Sequence, residues 1–308
     1  MHADAPSIVV VGSLNLDIVM RVERLPSPGE TVLSEDHWRN PGGKGANQAA
    51  AAARLGQSVA MVGRVGRDDA GVDLRRSLED HGVDVSQVKI DDAAATGVAT
   101  IAVDHDGENS IIVGPGANGR VSPADVRDAS SLLGAAAVVL LQLEIPLDSV
   151  LAAAQAASGI VILNPAPGRA LSQDLLQEIE VLVPNRGELS LLADQPGSSG
   201  QILELVARIP APETIVVTMG SEGALVYEHG RATPIPSFET DVVDTTGAGD
   251  SYCGALADAL VRGESLPLAA RWAAAAAAVT VSRAGAQPSL PTRREVESVL
   301  DSSRERDR

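Results

Sequence analysis

The stretch Asp244-Thr245-Thr246-Gly247-Ala248-Gly249-Asp250 stands directly before a helix-like run, Ser251 to Leu260. Small residues at that junction leave backbone N–H groups free at a helix N-terminus, where they and the helix dipole attract an anion such as a phosphoryl group. Asp250 falls in the first turn, where its ionised form is favoured and where it can accept a proton from a substrate hydroxyl. Taken alone, the stretch reads equally well as a loop with an acidic helix start. The sequence on either side has to decide.

Towards the N-terminus, Ser7 to Val11 is a short apolar run ending in Gly12, the pattern of a buried parallel strand. Beyond it Ser13-Leu14-Asn15-Leu16-Asp17 alternates, which puts Asn15 and Asp17 on one face. They are either turn residues or ligands at the C-terminal end of a strand, where open α/β sheets bind small molecules. No G-x-G-x-x-G follows, so a dinucleotide-binding fold loses its main support. Next, Pro41-Gly42-Gly43-Lys44-Gly45-Ala46-Asn47 precedes an alanine-rich helix expected from Gln48 to Leu55 and closed by Gly56. It is either a helix-start turn or a place where ligand meets backbone, with Lys44 and Asn47 offered to hydroxyl or phosphate oxygens. The spacing is not that of a Walker loop, and neither Ser nor Thr follows Lys44.

From Ser58 onward strand-like and helix-like segments alternate, as in Val59 to Val62 followed by Asp69 to Asp80. That rhythm predicts a parallel sheet with helices on both faces. Thr96 to Val113 breaks it and reads as a β-hairpin turning at Asp106-Gly107, which with Val19 to Val22 and Thr31 to Leu33 would form a small lid sheet. Asp104, Asp106 and Glu108 lack the calcium-loop pattern. Ser122 with Pro123 starts a helix. Four further strands end in polar or glycine-rich loops: Gln142-Leu143-Glu144, Asn164-Pro165-Ala166-Pro167, Asn185-Arg186-Gly187-Glu188 and Thr218-Met219-Gly220-Ser221-Glu222-Gly223. Such a row of loops is the rim on which an α/β site is assembled.

Composition narrows the choices. A net charge of −17 leaves no excess of Lys and Arg to replace the counterions of a nucleic acid, yet permits small phosphorylated ligands. The single cysteine, Cys253, excludes an internal disulfide framework and a cysteine-based zinc site and suits a reducing compartment. His2, His37, His81, His105 and His229 are scattered without metal-binding spacing. With only 2 % aromatic residues, the core falls to Val, Leu, Ile and Ala, including the packed run Ala273 to Ala278. The tail from Asp301 to Arg308 reads as solvated and frayed. Neither a signal peptide nor an uncharged apolar run of about 18 residues appears, so a cytoplasmic protein without membrane contact is expected.

Together these motifs resemble the PfkB, or ribokinase-like, family of carbohydrate kinases, nearly from end to end. The matching stretches are Gly12 to Asp17, Pro26 to Thr31, Gly42 to Gln48, Gly107-Glu108-Asn109, Gly116-Ala117-Asn118, Gln142 to Glu144, Asn164 to Pro167, Asn185 to Glu188, Asp244 to Asp250 and Gly285 to Ser289. The resemblance implies one catalytic domain over residues 1–308: a three-layer α/β/α fold with a mostly parallel central sheet and a small β lid from segments near 14–40 and 96–115. It implies ATP-dependent phosphorylation of D-ribose at O5, with kinases of 2-deoxyribose, fructose or a nucleoside as siblings; a non-catalytic sugar-binding regulator is the alternative from another class. Asp250 would be the base, and the N–H groups of Gly247, Ala248 and Gly249 an anion hole. Asn15, Asp17, Gly42, Gly43, Lys44, Asn47 and Glu144 would meet the sugar. Thr218, Gly220, Ser221 and Gly223, with Asn185 and Gly249, would meet the nucleotide. Magnesium would be anchored through water by Asn185 and Glu188, and potassium by Asp244, Thr246, Thr280, Arg283, Gly285 and Ser289. Pairing into a homodimer through the lid is also implied. Pro41 departs from the family pattern, in which a larger apolar residue can precede the double glycine.

Overall fold

The computed structural model describes residues 5–105, 109–195, 197 and 201–306. Its strands are β1 (Ile8–Val11), β2 (Asn15–Val22), β3 (Ser34–Gly42), β4 (Val59–Gly66), β5 (Asp84–Asp91), β6 (Gly97–Val103), β7 (Asn109–Gly114), β8 (Val138–Leu141), β9 (Ile160–Leu163), β10 (Val181–Leu182), β11 (Ile215–Thr218), β12 (Ala224–Glu228) and β13 (Arg231–Ile235). The helices are α1 (Lys44–Arg54), α2 (Asp69–Asp80), α3 (Pro123–Asp128), α4 (Ser130–Ala135), α5 (Leu147–Ala156), α6 (Gln173–Gln177), α7 (Arg186–Leu192), α8 (Ile202–Val206), α9 (Ala248–Val261), α10 (Leu266–Val281) and α11 (Arg293–Arg306).

A strand buried on both faces has no use for alternation, and the unbroken apolar run of β1 accordingly lies at the heart of a sheet ordered β13-β12-β11-β10-β9-β8-β1-β4-β5. β1 runs parallel to β4 and β8, and only β12, next to the edge strand β13, runs antiparallel to its neighbours. Its side chains alternate between the two cores. Ile8 and Val10 pack with α1, α2, α9, α10 and α11, whereas Val9 and Val11 pack with α3 to α8. This is the three-layer α/β/α arrangement expected from the rhythm of the sequence. Ala-rich α1, α9 and α10 can approach closely because their contact faces are built from methyl groups, and Gly254 has no room for a Cβ beside Ala51 and the Gln48 carbonyl.

A separate four-stranded sheet, ordered β3-β2-β6-β7, forms the lid. Val19, Ala99 and Ile101 make its own small core. β2 leaves β1 after only three residues, so the alternation read at Asn15 and Asp17 belongs to the lid and not to the main sheet. The expected strand at Thr31 to Leu33 is absent; its place is taken by Ser34–Gly42, whose polar and mostly exposed sequence carries no apolar pattern to read. The hairpin turn Asp106-Gly107, with Glu108, lies outside the described residues. α1 begins at Lys44, earlier than expected, and α11 runs through Asp301 to Arg306, where a frayed tail was expected. Among the described residues no helix is long and apolar enough to cross a membrane.

Candidate active site

The site is built where α9 starts beneath the ends of β1, β2, β8 and β9. Gly247 caps α9 in the left-handed region, φ 76°, and a Cβ there would stand 3.0 Å from the Ala286 backbone, so glycine is required on both counts. The Ser251 N–H returns to the Gly247 carbonyl at 2.8 Å, while the Ala248 N–H donates to Thr245 at 3.2 Å. Of the three amides expected to form an anion hole, that of Ala248 thus faces its own chain. No atom lies within 4 Å of where a Gly249 Cβ would be, and this side of the helix start is open.

Asp250 is buried, and each carboxylate oxygen has its own amide donor. Asn47 Nδ2 donates to Oδ2 at 2.9 Å and Gln48 Nε2 to Oδ1 at 3.2 Å, both from α1. Burial raises the Asp250 pKa; Lys44 and the two amides oppose the shift without cancelling it, and Glu144 adds to it. A carboxylate fixed in one rotamer and made more basic than usual is suited to accept a proton.

β2, paired with β3, brings Asn15 and Asp17 to the surroundings of the Asp250 carboxylate. Asn15 pairs across the lid with Gly42 on one side and Gly97 on the other. Its Oδ1 accepts from Asn118 Nδ2 at 2.7 Å, and Asn118 is locked in turn by the Leu14 N–H and carbonyl. That leaves the Asn15 amide nitrogen as the group available to a ligand. A Cβ on Gly42 would overlap the Asp17 carboxylate, so the first glycine of the pair makes room for the acid. Asp17 is pushed up to about 7 by burial and then by the negative charges of Glu144 and Asp250, with Lys44 opposing. Glu144 accepts from Ser13 Oγ at 2.5 Å and from the Lys44 N–H at 3.1 Å. Burial would lower the pKa of Lys44, but Asp250, Glu144 and Glu188 outweigh it and hold the ammonium charged. Three carboxylates around one ammonium form a lining of acceptors for vicinal hydroxyls.

Where the sequence places the nucleotide, the side chains are occupied differently. Asn185 and Glu188 form a reciprocal cap on α7: Asn185 Oδ1 accepts from the Glu188 N–H and Glu188 Oε2 from the Asn185 N–H, each at 2.8 Å. Burial raises the Glu188 pKa despite its backbone donor and Lys44. Thr218 ends β11 and bridges Asn185, and Gly220, Ser221 and Gly223 form the turn into β12. Asp244 accepts from the Thr246 and Gly285 N–H groups, both at 2.8 Å, and these bonds hold its carboxyl below its ordinary range despite burial. Other side chains expected around a potassium ion are engaged elsewhere. The Thr280 hydroxyl lies 2.7 Å from Ser251 Oγ inside the α9–α10 contact, Arg283 pairs with Glu295 at 2.5 Å, and Ser289 Oγ donates to the Ala286 carbonyl at 2.7 Å. What these two loops can offer a cation is mainly backbone carbonyl oxygen, suited to a hard monovalent ion. Among the described residues no cluster of three His, Cys, Asp or Glu side chains could hold a metal.

Sequence reasoning passed over Asn118, Gln48, Gln142 and Gln287, although all four sit inside the motif stretches. Gln287 Nε2 donates to Asn47 Oδ1 at 3.3 Å, and so reaches Asp250 through Asn47. Two clefts, of about 270 Å³ between α10, α11 and residues 239–240 and of about 480 Å³ along α2, are lined by none of Asp250, Asn15, Asp17, Lys44 or Glu144, although Arg283 borders the first.

Residues 5–293 match the model of the pfkB family carbohydrate kinases. A ribokinase from Haemophilus influenzae is 37 % identical over 301 residues, covering 96 % of this chain and 98 % of its own. A deoxyribokinase from Salmonella typhi is 35 % identical, covering 92 % and 95 %. The structure of Arabidopsis thaliana ribokinase complexed with ribose and ATP superposes with a TM-score of 0.89 at 38 % identity, covering 96 % of this chain and 99 % of the other. With its fold, its paired glycine motifs and its buried aspartate at the start of α9, the chain belongs to the pfkB family of carbohydrate kinases.

Proposed function

We propose that this protein transfers the γ-phosphoryl group of ATP to O5 of D-ribose, giving D-ribose 5-phosphate and ADP. The observation that carries the reading is the buried Asp250 carboxylate, held by one amide donor on each oxygen at the N-terminus of α9. The sugar's terminal hydroxymethyl group would lie against it, with the ring hydroxyls on Asn15, Asp17, Lys44, Asn47 and Glu144 and the ring against Gly42 and Gly43. A carboxylate is far too weak a base to ionise an alcohol beforehand, so the proton passes to Asp250 as the O5–phosphorus bond forms and the bond to ADP breaks. The first-turn amides of Gly247, Ala248 and Gly249 receive the charge of the moving phosphoryl group, Ala248 after release from Thr245. Donors of this kind are worth roughly 3–4 kcal/mol of transition-state stabilisation.

Thr218, Gly220, Ser221, Gly223 and Asn185 would line the nucleotide, and Asn185 and Glu188 would anchor the water shell of a magnesium ion whose charge neutralises the ATP phosphates. Asp244, Thr246, Thr280, Arg283, Gly285 and Ser289 would hold a potassium ion, chiefly by backbone carbonyls, where its charge steadies the loop before Gly247. The chain acts as one catalytic unit with its lid. β7 is an edge strand with Ile111 and Ile112 exposed, which supports pairing of two lids in a homodimer. A cytoplasmic setting fits the one cysteine, Cys253, buried and unpaired.

A 2-deoxyribose kinase is the second reading, favoured by the similarity to a deoxyribokinase. Against it, a deoxy sugar would leave part of the buried Asn15 and Asp17 polar surface unmatched. ADP release measured with ribose, 2-deoxyribose, fructose and adenosine, in potassium and in sodium, decides between them. Ribose should give the highest kcat/KM and potassium the higher rate; ribose turning over no faster than the others would overturn the assignment.

A further inference from the structure

We infer that Gln48, oriented by Gln142, is a positioning residue that fixes the Asp250 carboxylate for proton transfer; this rests on Asp250 being the base. Asn47 and Gln48 are neighbours on α1 and their side chains leave the helix about a quarter-turn apart, so they approach Asp250 from two sides, one on each oxygen. An amide can present either end. Which end Gln48 presents is settled by Gln142 at the end of β8, whose Nε2 donates to Gln48 Oε1 at 2.6 Å. With Oε1 committed, only Nε2 faces Asp250, and its second hydrogen points towards Asn164 Oδ1 at 3.4 Å. Asn164 is itself anchored by donating to the Val183 carbonyl at 3.0 Å. A flipped Gln48 would set carbonyl oxygen against carboxylate and N–H against N–H.

Gln142 holds this orientation at a cost. It is fully buried, and its Oε1 has no partner. That oxygen lies against Gly12, where any Cβ would overlap it. A buried acceptor left unmatched calls for an explanation; an apolar side chain would avoid that cost at position 142 but would leave Gln48 Oε1 without its donor. The orientation imposed on Gln48, and through it the donor delivered to the base, supplies one.

The charged and titratable groups around Asp250 are Lys44 on α1, Asp17 on β2, Glu144 after β8, Glu188 on α7 and Cys253 on its own helix. None is altered by replacing Gln48, so a change in the titration of Asp250 reports the lost donor. A hydrogen bond to the ionised carboxylate lowers its pKa, and removing the bond raises it.

The test is Gln48→Met, which keeps the volume and deletes the donor, measured by steady-state kinetics with ribose and by ¹³C NMR titration of the Asp250 carboxyl in the unliganded protein. Expected are a fall in kcat of about tenfold, a ribose KM changed by less than about twofold, and movement of both the acid limb of kcat and the Asp250 titration to higher pH. Gln142→Met leaves the donor but frees it to turn; about a threefold fall with the same direction of titration is expected, and this variant decides the matter if Gln48→Met does not fold. An unmoved Asp250 titration overturns the inference, as does a rise in KM matching the loss in kcat without a pH shift. A wild-type chain inactive on every sugar would instead sink the kinase reading, and the titration would still decide the role of Gln48.

Discussion

The two halves of the active site are made of different material. On the side proposed for the sugar Asn15, Asp17, Asn47 and Asp250 are each at most 8 % exposed, and Asn15 Oδ1, Asn47 and both Asp250 oxygens are directed by protein donors or acceptors. On the side proposed for the nucleotide the work would fall to backbone at a helix start and in glycine turns, and neighbouring Val242 and Val243 are 66 % and 63 % exposed. The difference teaches where selectivity and where catalysis of charge reside. Telling one sugar from another needs side chains held in one geometry, because an unmatched buried polar group is costly. A phosphoryl group is the same in every substrate, and main-chain N–H groups suffice for it.

Substitutions on the two sides should therefore fail in different ways. The largest effect is expected from Asp250→Asn, which keeps the shape and removes the base: kcat falls by at least about a hundredfold while ribose binding, measured by calorimetry, is largely retained. Near-normal turnover would remove Asp250 from the mechanism. Gly42→Ala comes next. Its methyl group collides with Asp17, and the ribose KM should rise about tenfold or more, with the KM for ATP little changed. Gly249→Ala meets no protein atom, so thermal stability should hold while kcat drops roughly tenfold, since the methyl stands on the open side of the helix start. Equal losses in sugar and nucleotide affinity for these two glycine variants would erase the contrast.

Smaller effects sharpen it. Asn118→Ala frees Asn15 without touching ligand; the ribose KM should rise about fivefold and the preference for ribose over 2-deoxyribose should narrow. The least effect at neutral pH concerns Asp17. Its folded pKa of about 7 exceeds the ordinary value of 3.8, so its protonated form is favoured in the fold, and stability present below about 4 is lost as the pH rises through 7. Ribose affinity should run the other way and weaken as the pH falls below 7, because the protonated acid loses acceptors. The stability gain from Asp17→Asn should accordingly be larger at pH 8 than at pH 4 by thermal melting. Equal gains at both pH values would show that Asp17 titrates normally.

Reading the sequence reached the parallel sheet because β1, β8 and β9 are short, wholly apolar runs, a pattern that burial on both faces imposes. It missed β3, whose residues are mostly exposed and paired with β2; a strand stabilised largely by its partner's hydrogen bonds leaves no hydrophobic signature. The residues of the candidate site were legible when they belonged to a glycine motif or carried a charge. Gln48, Asn118 and Gln142 were not, since neutral amides are common on any surface and become informative only when buried against a carboxylate or another amide.

By itself, then, the sequence determined the layered α/β fold and the family, and it set the acid and the glycines of the candidate site side by side at a helix start, because backbone conformation and local helix starts are encoded by adjacent residues. Only the tertiary structure decided that Asp250, Asn47 and Gln48 meet across more than 200 positions of chain, that Gly42 is small for the sake of Asp17, and that Asn15 is held by Asn118. Hydrogen bonds of that reach are set by packing between α1, α9 and the lid, and no local pattern announces them.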